Sequence, residues 1–138
     1  MRESTVVVQP ENRGTAPAVL YALFRLAQSA PNDLVAFLPS DHLISNDHVS
    51  MAHVNQALEG CRQRTDLVTL LGIPADCAEL GHGWIEPGRP VAGLHFADFR
   101  RVRQLWERHT VAQAAEFQTR GWFWNSFALA RVLEITPA

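Results

Sequence analysis

The chain has 138 residues, 47% of them apolar and 19% charged, with a formal net charge of -2. That balance suits one folded domain with a core of its own and argues against a nucleic-acid-binding surface, since the densest basic stretch is only Arg100-Arg101 with Arg103. No apolar run approaches the ~18–20 residues that span a bilayer, and Met1-Arg2-Glu3-Ser4 lacks the apolar core of a signal peptide, so the expected location is the cytoplasm.

In chain order, Val6-Val7-Val8 is a β-branched run that stops at Gln9-Pro10 and reads as a short interior strand. From Ala16 to Gln28 the positions Val19, Leu20, Leu23, Phe24 and Ala27 repeat with helical spacing, and Pro17 suits a first turn. Leu34-Val35-Ala36-Phe37-Leu38 is too short for a helix and is bounded by Asn32-Asp33 and Pro39, which predicts a strand covered on both faces. Asp41 then falls just past the carboxyl end of that strand, where ligands bind in open α/β sheets. A second helix is predicted from about Asp47 to Arg64, capped by Asn46 or Asp47, with Met51, Val54, Leu58 and Cys61 as its apolar stripe. Asp66 to Ile73 gives a third strand, so the first half reads β-α-β-α-β, the order of a parallel sheet with crossover helices.

The second half changes character. Gly83 to Glu86, Pro90 to Phe96 and Arg101 to Glu107 read as short strands separated by turn residues such as Pro87-Gly88. Thr110 to Gln113 matches a capping box, opening a helix to Thr119 that stops at Arg120-Gly121. The aromatic segment Trp122 to Phe127 is expected to return to the sheet. Cys61 and Cys77 share no C-x-x-C spacing, and His48 and His53 lie on different helix faces, so neither set suggests a metal site.

Several blocks resemble, in order and spacing, the sugar-1-phosphate nucleotidyltransferases, nearest the mannose-1-phosphate guanylyltransferase branch. They are Gln9-Pro10-Glu11-Asn12-Arg13-Gly14-Thr15-Ala16-Pro17-Ala18, then Pro39-Ser40-Asp41-His42, Glu79 to Glu86, Leu105 to His109, and Gly121 to Ser126. The resemblance implies an α/β fold: a partial doubly wound, Rossmann-like mixed sheet over residues 1–138, with a nucleotide and metal half (1–75) and a sugar-phosphate half (76–138). The Gly-rich G-G-x-G-T-R loop that opens such domains occurs nowhere in the sequence, so the expectation is a domain missing its first strand or strands.

What the resemblance implies for single residues follows from their chemistry. Gln9, Asn12, Gly14, Thr15 and Ala16 would meet the nucleotide, Gly14 allowing close backbone approach to a flat base. Asp41 would hold Mg²⁺, a hard cation suited to carboxylate oxygen. Gly83, Glu86, Glu107 and Asn125 would take sugar hydroxyls, which suits carboxylates, an amide and an exposed backbone. Arg108, standing where a Lys is usual, would meet the sugar phosphate and share catalysis with Asp41. His82 and His109 replace the Tyr and Pro usual at their positions. Trp84, Trp122 and Trp124 are expected to pack rather than to stack on a base. The implied reaction transfers GMP from GTP to a hexose-1-phosphate, best mannose-1-phosphate, with the isolated chain inactive. Two alternatives stay open: a non-catalytic nucleotide or sugar-phosphate binding module, and a subunit that forms a homo-oligomer or accepts a donated strand at its sheet edge.

Overall fold

The computed structural model describes residues 6–40, 45–94 and 97–131, the side chains of 127–131 excepted. The elements are α1 (Thr15–Ser29), β1 (Leu34–Ala36), α2 (Asp47–Gln63), β2 (Thr69–Pro74), β3 (Trp84–Pro90), β4 (Arg100–Trp106), α3 (Val111–Thr119) and β5 (Phe123–Arg131). The α/β class and the open sheet agree with the sequence reading.

The last strand organises the others. β2 pairs along β5 from Thr69↔Leu129 to Pro74↔Phe123, β1 pairs with its far end from Leu34↔Arg131 to Ala36↔Leu129, and β3 pairs with its start at Trp84↔Trp124 and Ile85↔Phe123. Because Leu129 faces both Ala36 and Thr69, and Trp124 faces both Trp84 and Ile73, β2 takes one edge of β5 while β3 and β1 share the other. β4 completes the path by pairing with β3. All these pairs are antiparallel. β1 and β2 thus run the same way, as a crossover unit requires, but β5 lies between them and removes the direct parallel neighbours expected from the first half.

α2 starts where Asn46 Oδ1 accepts from Val49 N at 3.2 Å, with Asp47 in its first turn and Arg62 in its last, both favourable to the helix dipole. Its buried side is Val54, Ala57, Gly60 and Cys61, rotated from the predicted stripe: Met51 is exposed. Small residues let the helix lie close, Ala57 and Cys61 packing with Leu34, Ala36 and Leu71 of β1 and β2. A second core gathers Trp84, Ala114, Phe117 and Trp122, flanked by Trp106 and Trp124, under α3. The expected tryptophan packing is thereby met, with Trp84 fully buried.

α3 is fixed at both ends. Thr110 Oγ1 accepts from Gln113 N at 3.3 Å and Gln113 Oε1 accepts from Thr110 N at 2.9 Å, the reciprocal capping box. At the other end Gly121 takes φ +69°, Gly121 N donates to Gln118 O and Trp122 N donates to Phe117 O, while the Phe117 and Trp122 rings stack 4.4 Å apart. This is a Schellman end with its apolar contact.

Two expectations fail in the coil. Val6–Val8 lies outside every described strand, and Val6 and Val8 are 72% and 73% exposed; β-propensity reflects fit to a half-buried pleated surface, which these exposed positions do not offer. The predicted strand over Pro90–Phe96 is instead a turn at 92–93 with Gly93 at φ +86°, its last two residues lying outside the described ones. α1 forms as expected yet has no buried residue, and Leu20, Tyr21, Phe24 and Leu26 are all exposed.

Candidate functional site

Three of the four residues expected to take sugar hydroxyls, Gly83, Glu107 and Asn125, lie together. The turn between β4 and α3 brings Glu107 onto Gly83, whose added Cβ would stand 3.1 Å from Glu107 Oε1 and 3.2 Å from Oε2. A side chain at this position would push that carboxylate back by a few tenths of an ångström. Asn125, near the start of β5, donates its backbone N–H to Gly83 O at 2.8 Å. Gly83, Glu107 and Asn125 thus form one corner where β3, the β4–α3 turn and β5 meet.

That corner is chemically unfinished. Trp124 Nε1, Asn125 Oδ1 and Ser126 Oγ are buried without a hydrogen-bond partner among the described residues. Buried polar atoms in folded proteins are nearly always satisfied, so Asn125 Oδ1 is open to water or a polar ligand, while Trp124 on the same strand packs into the core under α3. Next to them His82 packs against Trp124, ring centroids 5.0 Å apart. Neither Ser126 nor His82 was singled out as a ligand contact from sequence, although both fall within the matching blocks.

Glu86 lies on β3 with its side chain 13% exposed and ion-paired to Arg103 Nη1 at 3.0 Å. Because Arg103 is 75% exposed, the pair orients the carboxylate more than it stabilises the fold. Arg103 was not anticipated as a partner, since its pairing depends on the β3–β4 register. Arg108 is exposed and has no ion pair or hydrogen bond among the described residues.

The nucleotide-side loop is shaped by its own residues. Gly14 has φ +91°, and Asn12 Oδ1 accepts from Gly14 N at 3.1 Å, closing a local turn just before α1 begins at Thr15, with Ala16 next in its first turn. Arg13 is paired with Glu11 at 2.9 Å, and Gln9 is partly buried in coil. No hydrogen bond or ion pair joins Gln9, Asn12, Gly14, Thr15 or Ala16 to Gly83, Glu86, Glu107 or Asn125 among the described residues.

Asp41 lies outside the described residues. The described residues contain no group of three or more His, Cys, Asp or Glu placed to hold a metal ion, so the Mg²⁺ expectation rests on Asp41 alone. A separate cleft of about 550 Å³ opens between α2, β2 and the β3–β4 hairpin, lined by Ala57, Leu71, Ile85, Phe99 and Phe123. It is mostly apolar and includes none of the predicted site residues. Among the described residues no helix is long and apolar enough to cross a membrane.

An open sheet flanked by helices, with a carboxylate crowded on a bare glycine backbone beside its central strand, defines an α/β domain. The family profile described as nucleotidyl transferase matches residues 2–137, and the chain belongs to that family. It is 34% identical over 134 residues to the alginate biosynthesis protein AlgA of Pseudomonas putida, covering 94% of this chain and 27% of that protein. It is 30% identical over 136 residues to the mannose-1-phosphate guanylyltransferase of Escherichia coli K12, covering 94% of this chain and 28% of that protein. In fold it resembles the crystal structure titled mannose-1-phosphate geranyltransferase from Thermus thermophilus, with TM-score 0.77 and 23% identity over 91% of this chain and 35% of that one. The mannose-6-phosphate isomerase structure from Helicobacter pylori aligns with TM-score 0.70 and 22% identity, over 89% of this chain and 43% of that one. The chain therefore spans less than a third of these two curated relatives and less than half of these two solved structures.

Proposed function

We propose that this chain carries the sugar-phosphate site of a nucleotidyltransferase that joins GMP from GTP to mannose-1-phosphate in the cytoplasm. The observation that carries the reading is the corner of Gly83, Glu107 and Asn125 with its unpartnered Asn125 Oδ1. A hexose offers vicinal hydroxyls that donate to the Glu107 carboxylate and the Asn125 amide oxygen, and the amide N–H₂ can donate in return. Glu86, already oriented by Arg103, stands further along β3 as a further acceptor. Arg108 is the cation free to take the sugar phosphate, through a two-pronged contact.

In the reaction, an oxygen of the hexose-1-phosphate attacks the α-phosphorus of GTP, a new P–O bond forms, and the bond to pyrophosphate breaks. The nucleophile is already an anion, so the protein needs to position it in line and offset phosphate charge rather than remove a proton. Gln9, Asn12, Gly14, Thr15 and Ala16 are the proposed nucleotide contacts, and Asp41 the proposed Mg²⁺ ligand, which would supply charge neutralisation. The division into a nucleotide half (1–75) and a sugar half (76–138) follows this assignment.

The chain by itself is proposed to bind the sugar phosphate without turnover. A triphosphate brings about four negative charges, while Arg13 is engaged by Glu11 and Arg108 is the single cation proposed for the phosphate in the sugar half; each lost preorganised contact costs on the order of 10²-fold in rate. Titration of mannose-1-phosphate into ¹⁵N-labelled protein should shift Gly83, Glu107 and Asn125 and leave α2 still. Shifts confined to α2 or absent at saturating ligand would refute the sugar site. Pyrophosphate release above background from GTP, Mg²⁺ and mannose-1-phosphate would refute the inactivity.

A second reading is that a further polypeptide, or a second copy, completes the domain. It is favoured by α1, which buries no residue fully and leaves Leu20, Tyr21, Phe24 and Leu26 exposed. Light scattering on the purified chain separates the two: a stable monomer that binds mannose-1-phosphate leaves the first reading sufficient.

A further inference from the structure

The segment Glu79–Gly83, which delivers Gly83 to the sugar corner, is a loop outside the strands and helices, and loops hold geometry only where something ties them down. Its first turn is tied from within, because Glu79 Oε1 accepts from Leu80 N at 3.2 Å and from Gly81 N at 3.1 Å. Its last residue is tied by Asn125 and crowded by Glu107. Beside the packing of His82 on Trp124, a further tie is His109. Its Nε2 lies 3.2 Å from the Glu79 carbonyl oxygen and 3.2 Å from Trp84 Nε1, which itself donates to the same carbonyl at 3.3 Å.

With the imidazole proton on Nε2, two N–H donors converge on one carbonyl oxygen, which has two lone pairs to receive them. The alternative places the proton on Nδ1 and lets Nε2 accept from Trp84 Nε1 instead; Nδ1 is buried without a partner among the described residues in both cases, and an orphaned buried N–H is rarer than an orphaned acceptor. The ring is kept in place by edge contacts with Trp84 at 6.2 Å and Phe117 at 6.0 Å. Glu107 and His109 belong to one turn, so two of its side chains grip the two ends of one loop.

We propose that His109 is a positioning residue for the sugar-phosphate site: its Nε2–H holds the Glu79 carbonyl and thereby sets Gly83 between Glu107 and Asn125. The consequence for binding rests on the sugar-site reading above, whereas the clasp itself does not. His109 acts through the loop and touches no proposed substrate.

The test uses the full chain with His109→Leu and His109→Gln. The glutamine amide can reach a carbonyl as a donor and the leucine cannot. In His109→Leu, amide exchange at Leu80–Gly83 should quicken by about tenfold, the worth of one lost hydrogen bond, and the Kd for mannose-1-phosphate should rise by about as much. Exchange in α2 should not change, and His109→Gln should restore both quantities to within about threefold. Equal exchange in His109→Leu and wild type overturns the proposal, as does a glutamine variant no better than the leucine one. So does a general quickening that includes α2, which would make His109 a packing residue only. Wild-type protein provides a measurement that needs no variant: long-range ¹H–¹⁵N spectra above neutral pH should place the proton on Nε2, and a ring protonated at Nδ1 overturns the proposal. Wild-type protein that shows the exchange pattern but does not bind mannose-1-phosphate refutes the sugar reading and leaves the clasp standing.

Discussion

Replacing Phe117 by alanine tests whether the sugar-side core is as tightly built as its ring contacts imply. Phe117 is 3% exposed. Its ring stacks on Trp122 at 4.4 Å and meets Trp106 at 5.1 Å, Trp84 at 5.7 Å and His109 at 6.0 Å. A buried aromatic ring removes roughly 150–200 Å² from water, which at ~25 cal/mol per Å² is about 4–5 kcal/mol. Measured Phe→Ala costs of about 3–5 kcal/mol agree. A domain of 138 residues has a stability of roughly 7–20 kcal/mol, so the loss is a large share but need not abolish folding. All four tryptophans, Trp84, Trp106, Trp122 and Trp124, lie in or beside this cluster, so their fluorescence reports on it directly while far-UV circular dichroism follows the helices. With a urea slope of about 2 kcal/mol per M, the fluorescence midpoint should fall by about 2 M. A fall of less than about 0.5 M, near 1 kcal/mol, would show that the ring sits loosely and that α3 is not held by this core.

Gly72→Ala should lower the melting temperature, because the new Cβ would stand 2.7 Å from Phe123 Cβ, an atom the neighbouring strand cannot swing away. The expected cost is about 1–3 kcal/mol, whereas relief of chain entropy alone would stabilise by about 0.4–1 kcal/mol, so a raised melting temperature refutes the contact. Thr110→Ala removes the side-chain half of the capping box at the start of α3, where Thr110 Oγ1 accepts from Gln113 N, and keeps the backbone half to Gln113 Oε1; it should cost about 1 kcal/mol in urea denaturation, with Thr110→Ser retaining most of it. The Cys77 thiol is pushed above its ordinary range, first by its hydrogen bond to the Asp76 carboxylate and next by loss of hydration. Because a raised thiol pKa means less thiolate at a given pH, Asp76→Asn should speed iodoacetamide labelling of Cys77 at neutral pH, while buried Cys61 labels only on unfolding. Labelling of Cys77 at the same rate in both proteins would remove the carboxylate as the cause.

Features set by near neighbours were legible in the sequence. The capping box at Thr110, the Asn46 cap, the stop at Gly121 and the helical spacing of Leu20 and Phe24 each depend on residues a few positions apart, and each formed. Features set by distant pairing were not. Nothing local to Leu34–Ala36 or Thr69–Pro74 says that a strand from Phe123 onward will slip between them. The same blindness made Val6–Val8 look like a strand, since the valines extend the chain whether or not a ladder awaits them. On α2 the predicted stripe favoured large Met51 over small Ala57 and Gly60, because periodicity weighs apolarity while close packing on a sheet selects size. The residues proposed for the sugar were legible as a set of residue types in order, whereas the meeting of Gly83, Glu107 and Asn125 depends on long-range pairing. Arg103 and the hold of His109 on Glu79 were not legible, because both cross between elements far apart in sequence.

The position of β5 also dictates a schedule. β1 and β2 take their backbone partners from residues 123–131, and β3, already paired with β4 on one edge, takes those of its other edge there too, so a nascent polypeptide emerging from the ribosome carries three strands each with an idle edge until those residues appear. α2 can coil early, but it has only a fragmentary floor to rest on. Assembly must then be a late, concerted closure in which one segment zips both flanks. Any pause in translation before Phe123 would lengthen the interval in which bare strand edges invite misplaced association.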